Sequence, residues 1–396
     1  MKIWIYAFHG IMKCVNYFIP YRTPEVISGP GCVLKVADVL KEKEISRVLV
    51  VSDKNMIELG IGKPMIDAIT AAGIECTVFS DVEPNPTSDS VEKGVTAYHN
   101  GKCEAIVPFG GGTPMDCAKA IAARVVRPKK SVSKLQGLMK VRRKTPLLIA
   151  VPTTAGTGSE TTVAAVITDS ATHHKAAIND PYLIPSIAVL DPMLTVGLPK
   201  HVTATTGMDA LCHAVEAYTN YTYCTRLEKE MALEAIKLVY ENILTVYENG
   251  NDIEARQNMQ KAAFKAGRAF TRGCVGYVHA IGHTLSGLYG VAHGLAMAVI
   301  LPNLMTLYGK SVHKRLAEIG RYVGMTGGND KEVAEKFIDW IYKTNAAMGI
   351  PGKFDCIKEE DIPQMISWAK SEGNPLYPVP QVWDDDDFYR AIKSIM

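Results

Sequence analysis

The sequence has no C-x-x-C pair: its nine cysteines, an odd number, stand singly along the chain. That fits reduced thiols in a cytoplasmic protein better than a disulfide framework, and it argues against a zinc-ribbon site. No run approaches the roughly 18 apolar residues that a membrane span needs. Charge of one sign is lacking too. The 43 basic and 41 acidic residues leave a net charge of +2, too little for a field that would draw nucleic acid or an anionic membrane. Neither is expected as a partner. Internal repeats are absent, and the one low-complexity segment is Asp384 to Asp387, whose four carboxylates are expected to form a solvated cap before the last helix. The G-x-G-x-x-G fingerprint is missing after the first strand, so the standard dinucleotide fold is not expected.

What remains is a chain of 396 residues with 47% hydrophobic and 21% charged residues, the balance of a globular protein of two domains. The stretch from Met1 to Pro20 is apolar, but His9, Lys13 and Asn16 interrupt it and no small-residue cleavage site follows. It reads as an extension of about 20 residues rather than a secretory leader, with Met12 an alternative start.

Residues 1–194 alternate short apolar runs with helical stretches. Val48 to Val51, Cys76 to Phe79, Ala105 to Pro108 and Leu147 to Val151 read as strands, while Lys63 to Ala72, Ser88 to His99 and Met115 to Val125 read as helices. The pattern predicts an α/β domain built on a parallel sheet with both faces covered. From Val163 to Asp191 the reading changes to strand-like pieces with turns, and the sheet is expected to end there. Residues 195–396 carry helical periodicity and predict an all-α domain.

Donor residues gather in the second domain. Asp209 and His213 are four apart within a helix-forming stretch and so project from one face. The segment VHAIGHTLSGLYGVAH holds His279 and His283, again four apart, and His293 after a glycine-rich turn. Three structural histidines in so apolar a stretch would need three separate buried hydrogen-bond partners, a demand that one shared metal ion would meet. Five donors are thus available, with His279 and His283 the natural helical pair. Carboxylate and imidazole suit iron(II), zinc, cobalt or nickel.

The first domain carries anion-binding features. An apolar strand runs into Gly110, Gly111 and Gly112, then Thr113, Pro114 and a helix, which aims backbone amides and a helix N-terminus at one spot. The segment PTTAGTGSE, Pro152 to Glu160, adds hydroxyl and amide donors after another strand, or is simply a flexible loop. Asp53 follows the first strand, where a carboxylate accepts from a ribose 2′-hydroxyl and repels a 2′-phosphate, favouring NAD over NADP. A helix cap is the competing reading of Asp53.

Taken together, GGGTPMD, PTTAGTGSETT, GMDALCHAVEAY and HAIGHTLSGLYGVAHGLAMAVILP resemble the iron-containing (group III) alcohol dehydrogenases, over nearly the whole chain from Pro24 to NPLYPVP. The resemblance implies a dehydroquinate synthase-like architecture and hydride transfer between a nicotinamide cofactor and a small primary alcohol, aldehyde or diol. It implies that Asp209, His213, His279 and His293 ligate one divalent metal, iron(II) ahead of zinc(II), and that His283 stands beside the substrate as a catalytic proton relay. For NAD it points to Asp53, Asn85 in the EPNPT turn, Gly111 and Gly112 through Thr113 to Asp116, Thr153, Thr154 and Lys175. Ala164 stands where some relatives carry asparagine. A homodimer or larger homo-oligomer is expected. The alternatives are a metal- and NAD-dependent lyase of dehydroquinate synthase type and a non-catalytic nucleotide-binding subunit.

Overall fold

The short apolar runs become strands because helices cover both of their faces, which leaves no room for a polar side. The computed structural model describes residues 2–171 and 175–396, the side chains of Lys2 and Lys175 excepted. It divides into two units, Pro20–Gly197 and Met1–Ile19 together with Leu198–Met396.

The first helix, α1 (Lys2–Phe18), belongs to the second unit. In the first unit the chain runs β1 (Glu25–Ser28), α2 (Val36–Glu42), β2 (Arg47–Val51), α3 (Lys54–Glu58), α4 (Lys63–Ala71), β3 (Glu75–Phe79), α5 (Ser88–Asn100), β4 (Ala105–Gly110) and α6 (Gly112–Val126). It continues through α7 (Val132–Leu135), β5 (Gly137–Leu138), β6 (Leu147–Pro152), β7 (Ala164–Thr168), β8 (Lys175–Asn179) and β9 (Ile187–Leu190). Six strands form one sheet in the order β1-β9-β6-β4-β2-β3, every neighbouring pair parallel. Alternation sorts its side chains: Leu49 and Val51 enter the core that holds Ile121, while Val48 and Val50 enter the core that holds Leu40 and Ile69.

The sheet does end within Val163 to Asp191, but its last strand in sequence is not an edge strand. After an excursion into a three-stranded sheet, β5-β8-β7, the chain returns as β9 and inserts between β1 and β6, with Ile187 opposite both Glu25 and Ile149. The physical reason lies in its composition: all four residues of β9 are apolar and buried, as a central strand requires. Strand order reverses between β2 and β4, so the crevice at their carboxyl ends is the place where this topology receives a ligand.

The helical unit continues with α8 (Lys200–Thr219), α9 (Arg226–Glu248), α10 (Ile253–Gly273), α11 (Tyr277–Tyr289), α12 (His293–Tyr308), α13 (Lys310–Tyr322), α14 (Asp330–Ala347), α15 (Ile362–Gly373) and α16 (Asp385–Ser394). Helix α8 is buried on all sides from Gly207 to Thr219. Helix α12 tolerates Pro302 in its interior: the Ala298 carbonyl that Pro302 leaves without a donor accepts instead from Asn345 Nδ2 at 2.6 Å. Asp384 caps α16 in a reciprocal box with Asp387, the role expected of the acidic run.

Two of the three polar residues that interrupt the N-terminal stretch, His9 and Asn16, are buried on the docking face of α1, while Lys13 is exposed. His9 is fully buried, with Nδ1 at 2.8 Å from the Tyr221 hydroxyl and Nε2 at 2.7 Å from the Pro375 carbonyl. Two turns on, the Asn16 carbonyl accepts from Arg272 at 2.7 Å. Among the described residues no single helix is long and apolar enough to cross a membrane.

Candidate functional site

Helix α8 presents Asp209 and His213 from adjacent turns, α11 presents His279, and His293 is the first residue of α12 rather than part of a loop. One donor atom from each of the four lies within 4.8 Å of all the others. Asp209 Oδ1 stands 3.9 Å from His213 Nδ1, 3.9 Å from His279 Nε2 and 3.4 Å from His293 Nε2. These spans are long for hydrogen bonds. They suit donors that flank a cation, since ligands bound at about 2.1 Å in a tetrahedral site are roughly 3.4 Å apart.

The hydrogen-bond pattern tests that fit. Asp209 Oδ1, His213 Nδ1 and His279 Nε2 are buried without a hydrogen-bond partner, and each such atom costs about 1–3 kcal/mol unless something satisfies it. All three face one point, and a cation there would satisfy them together. Burial by itself raises the Asp209 carboxyl, but the facing His213, His293 and His279 outweigh it and hold Asp209 below the usual carboxylate range. Burial pushes His213 down to about 3 and His279 well below its ordinary value, so both rings are neutral, the form that ligates metal. His213 is also braced by Phe270, stacked at 4.2 Å.

Glu216 completes the arrangement and went unnoticed in the sequence. Its Oε1 accepts from the Val278 amide at 2.8 Å, and its Oε2 accepts the Nδ1 proton of His279 in a short hydrogen bond. That bond fixes the His279 tautomer and leaves Nε2 as the donor facing Asp209. Burial raises the Glu216 carboxyl to about 7 against the pull of the Gly276 and Val278 amides. The signal was available: position 216 lies three residues after His213 and seven after Asp209, on the same helix face. Cys212, Glu216 and His279 form a second donor group, but burial keeps the Cys212 thiol protonated and Glu216 is already engaged.

The pairing of His279 with His283 that helical spacing suggested is not what the structure builds. His283 is part exposed and turns toward α15, where its Nδ1 lies 2.7 Å from Glu372 Oε1. The Tyr377 hydroxyl donates to the same oxygen at 2.8 Å. The His283 ring stacks on His293 at 5.3 Å. Burial raises the Glu372 carboxyl, and the facing His283 more than reverses this, leaving it below its ordinary value.

At the switch in strand order, Gly110 adopts φ +146°, and a Cβ there would meet Pro114 Cγ at 2.7 Å. Gly111 caps α6 and Gly112 opens it. A Cβ on Gly112 would sit 3.0 Å from Thr157 Cγ2, and one on Gly111 3.5 Å from Thr154 Cγ2, so the two loops lie against each other. Thr153 is buried and its amide donates to the Gly110 carbonyl at 3.0 Å. Thr113 is half-buried in the first turn of α6. The orphan amides of that turn and the threonine hydroxyls make a cradle that suits a phosphate.

The remaining candidates are placed less simply. Asp53 caps α3, its Oδ1 accepting from the Met56 amide at 3.0 Å, which is the competing reading realised for one of its two oxygens. Asn85 is exposed in the left-handed region at φ +59°. Asp116 lies a turn beyond the cradle, with both oxygens engaged by the protein: Oδ1 by Ser159 Oγ at 2.9 Å and Oδ2 by the Val166 amide at 3.0 Å. Lys175 begins β8, and its side chain lies outside the described residues.

Comparison with known proteins covers nearly the whole chain. Residues 23–192 match the family described as iron-containing alcohol dehydrogenase, and residues 203–396 match the C-terminal domain of the same family. The chain is 36% identical over 385 residues to the NAD-dependent methanol dehydrogenase of Bacillus methanolicus, covering 96% of this chain and 100% of that protein. It is 35% identical over 361 residues to the 1,3-propanediol dehydrogenase of Klebsiella pneumoniae, covering 89% and 93%. Among solved structures, a 1,3-propanediol oxidoreductase superposes with a TM-score of 0.92 at 32% identity, covering 96% of this chain and 100% of that one.

Proposed function

Because the chain belongs to the iron-containing alcohol dehydrogenase family and is thereby an oxidoreductase acting on alcohols, we propose that Asp209, His213, His279 and His293 hold one divalent cation, iron(II) by family. We assign NAD to the sheet unit, with its pyrophosphate against Gly111 to Thr113 and Thr153 to Thr154. The observation that carries the metal assignment is the set of three orphaned buried donor atoms facing one point. The substrate class is a small primary alcohol or diol and its aldehyde, as the names of the relatives suggest. Neither the lyase reading nor the non-catalytic one is favoured by this family.

When bound, the cation supplies Lewis-acid polarisation of the alcohol oxygen and the nicotinamide supplies the hydride acceptor. The chain's own residues do the rest. Asp209 is the one anion among the four donors and offsets the cation's charge. Glu216 keeps His279 in the ligating tautomer. His283, part exposed and anchored through Nδ1 by Glu372, holds the proton that the hydroxyl releases, a task suited to an imidazole. Asp53 places a carboxylate after β2, which favours a free ribose 2′-hydroxyl and hence NAD over NADP. Nine free cysteines suit a reducing cytoplasm. The edge position of β1, with Val26 exposed, favours a homodimer or larger assembly.

The test is anaerobic purification with elemental analysis, followed by NADH and NADPH oxidation against a panel of small aldehydes. One divalent metal per chain and faster NADH oxidation are expected, whereas a metal-free preparation that still turns over would overturn the reading. His283→Ala should lower turnover by about 10²–10⁴-fold at unchanged metal content; loss of the metal in that variant would make His283 a ligand instead.

A further inference from the structure

Lys119 is fully buried, and the chemistry above makes no use of it. It sits on α6 three residues after Asp116, so the two side chains leave one face of the helix. Its Nζ lies 3.0 Å from Ser159 Oγ, 2.8 Å from Thr162 Oγ1, 3.0 Å from the Thr162 carbonyl and 3.0 Å from the Ala164 carbonyl. Three oxygens of the loop and one from Ala164 at the start of β7 surround an ammonium that has three protons to give. Asp116 ties the loop to the strand that follows it, because Ser159 Oγ of the loop donates to its Oδ1 while the Val166 amide of β7 donates to its Oδ2. Among the described residues no carboxylate pairs directly with Lys119. Its nearest charges, Asp116 and Glu160, act at longer range, and burial draws the ammonium down to about 8.

We propose that Asp116 and Lys119 are positioning residues for the dinucleotide, a strut on α6 that locks the loop from Thr153 to Thr162 against the helix's own N-terminus and sets both halves of the phosphate cradle in register. This rests on the reading of Gly111 to Thr113 with Thr153 and Thr154 as that cradle. The geometry favours a functional strut over plain packing for two reasons. First, apart from one short turn at Ser159–Thr161, the loop has no regular secondary structure to fix Thr154 and Thr157 against Gly111 and Gly112. Second, burying a charge is expensive, and an apolar side chain of similar volume could fill the space at less cost. A cation beneath an anion-binding loop also favours the pyrophosphate electrostatically, in surroundings that screen it little. The strut accounts for Asp116 as well, since both of its oxygens accept from this segment of the protein.

The experiment titrates the metal-loaded protein with ADP-ribose, which carries the pyrophosphate, and with adenosine, which does not, in wild type, Lys119→Met and Thr162→Val. Lys119→Met should weaken ADP-ribose at least tenfold and adenosine less than twofold, with metal content unchanged. Thr162→Val, which keeps the charge and removes one acceptor, should weaken ADP-ribose about threefold. A folded Lys119→Met that binds ADP-ribose within twofold of wild type overturns the proposal. Should Lys119→Met fail to fold, an unchanged ADP-ribose affinity in Thr162→Val overturns it instead. Equal weakening of both ligands would also overturn it, as general loosening. If wild type itself binds ADP-ribose no better than adenosine, the cradle reading fails rather than the strut.

Discussion

Replacing Glu216 with glutamine keeps the side chain's volume but leaves it unable to serve all of its neighbours. The carboxylate accepts on Oε1 from the Val278 amide and on Oε2 from His279 Nδ1. If the glutamine oxygen stays with the backbone, its NH₂ faces His279, whose Nδ1 must then become an acceptor. The ring proton moves to Nε2, the atom that faces Asp209, and that atom no longer ligates. If the amide turns round, its NH₂ opposes the Gly276 and Val278 amides instead. Either outcome removes the support that orients a ligand histidine, a loss that typically costs 10–100-fold in metal affinity, or about 1.4–2.7 kcal/mol. The assay is competition for iron(II) or zinc(II) against a chelator, with Cys212→Ser as the control. Glu216→Gln should lose affinity in that range, and Cys212→Ser should not. If Cys212→Ser weakens binding as much as Glu216→Gln does, the ion sits in the group of Cys212, Glu216 and His279 and the four-ligand assignment is refuted.

Gly294 follows His293 at the start of α12, and a Cβ there would stand 2.5 Å from the carbonyl oxygen of Thr205 on α8. Backbone cannot rotate aside, so Gly294→Ala should cost about 1–3 kcal/mol and widen the 3.4 Å span between His293 and Asp209. Thermal unfolding and metal titration check it, and unchanged values in both would show that the helices part without loss. Glu160 is buried and its carboxyl raised by burial to about 7. Between its unfolded value near 4.5 and about 7 the unfolded chain binds fewer protons than the folded one, so stability falls as pH rises through that window. Between pH 4.5 and 7 the effect is on the order of 2–3 kcal/mol; denaturant midpoints over that range should fall less in Glu160→Gln than in wild type, and parallel curves would exclude Glu160 as a source.

The sequence by itself determined the strands β2, β4 and β6, because doubly covered strands must be short and apolar, and the edge strand β3 through its short apolar run from Cys76 to Phe79, and it determined most of the second-half helices through their 3.6-residue period. It also supplied five candidate donors, Asp209 with His213 and His279 with His283 through i and i+4 spacing and His293 beyond a turn, which the family resemblance narrowed to four. Tertiary structure decided which of those donors meet. His279 and His283 are equivalent by spacing, yet packing turns the first inward to Asp209 and Glu216 and the second outward to Glu372 on α15, a residue 89 positions away. The same holds for β9, which local pattern cannot tell from an edge piece until β1 and β6 flank it, and for His9, whose partners Tyr221 and Pro375 are remote in sequence. Asp116 shows the boundary most clearly. Local sequence placed it early in the helix that follows the glycine run, and the fold gave both of its oxygens to a neighbouring segment that no helical or strand period could bring into view.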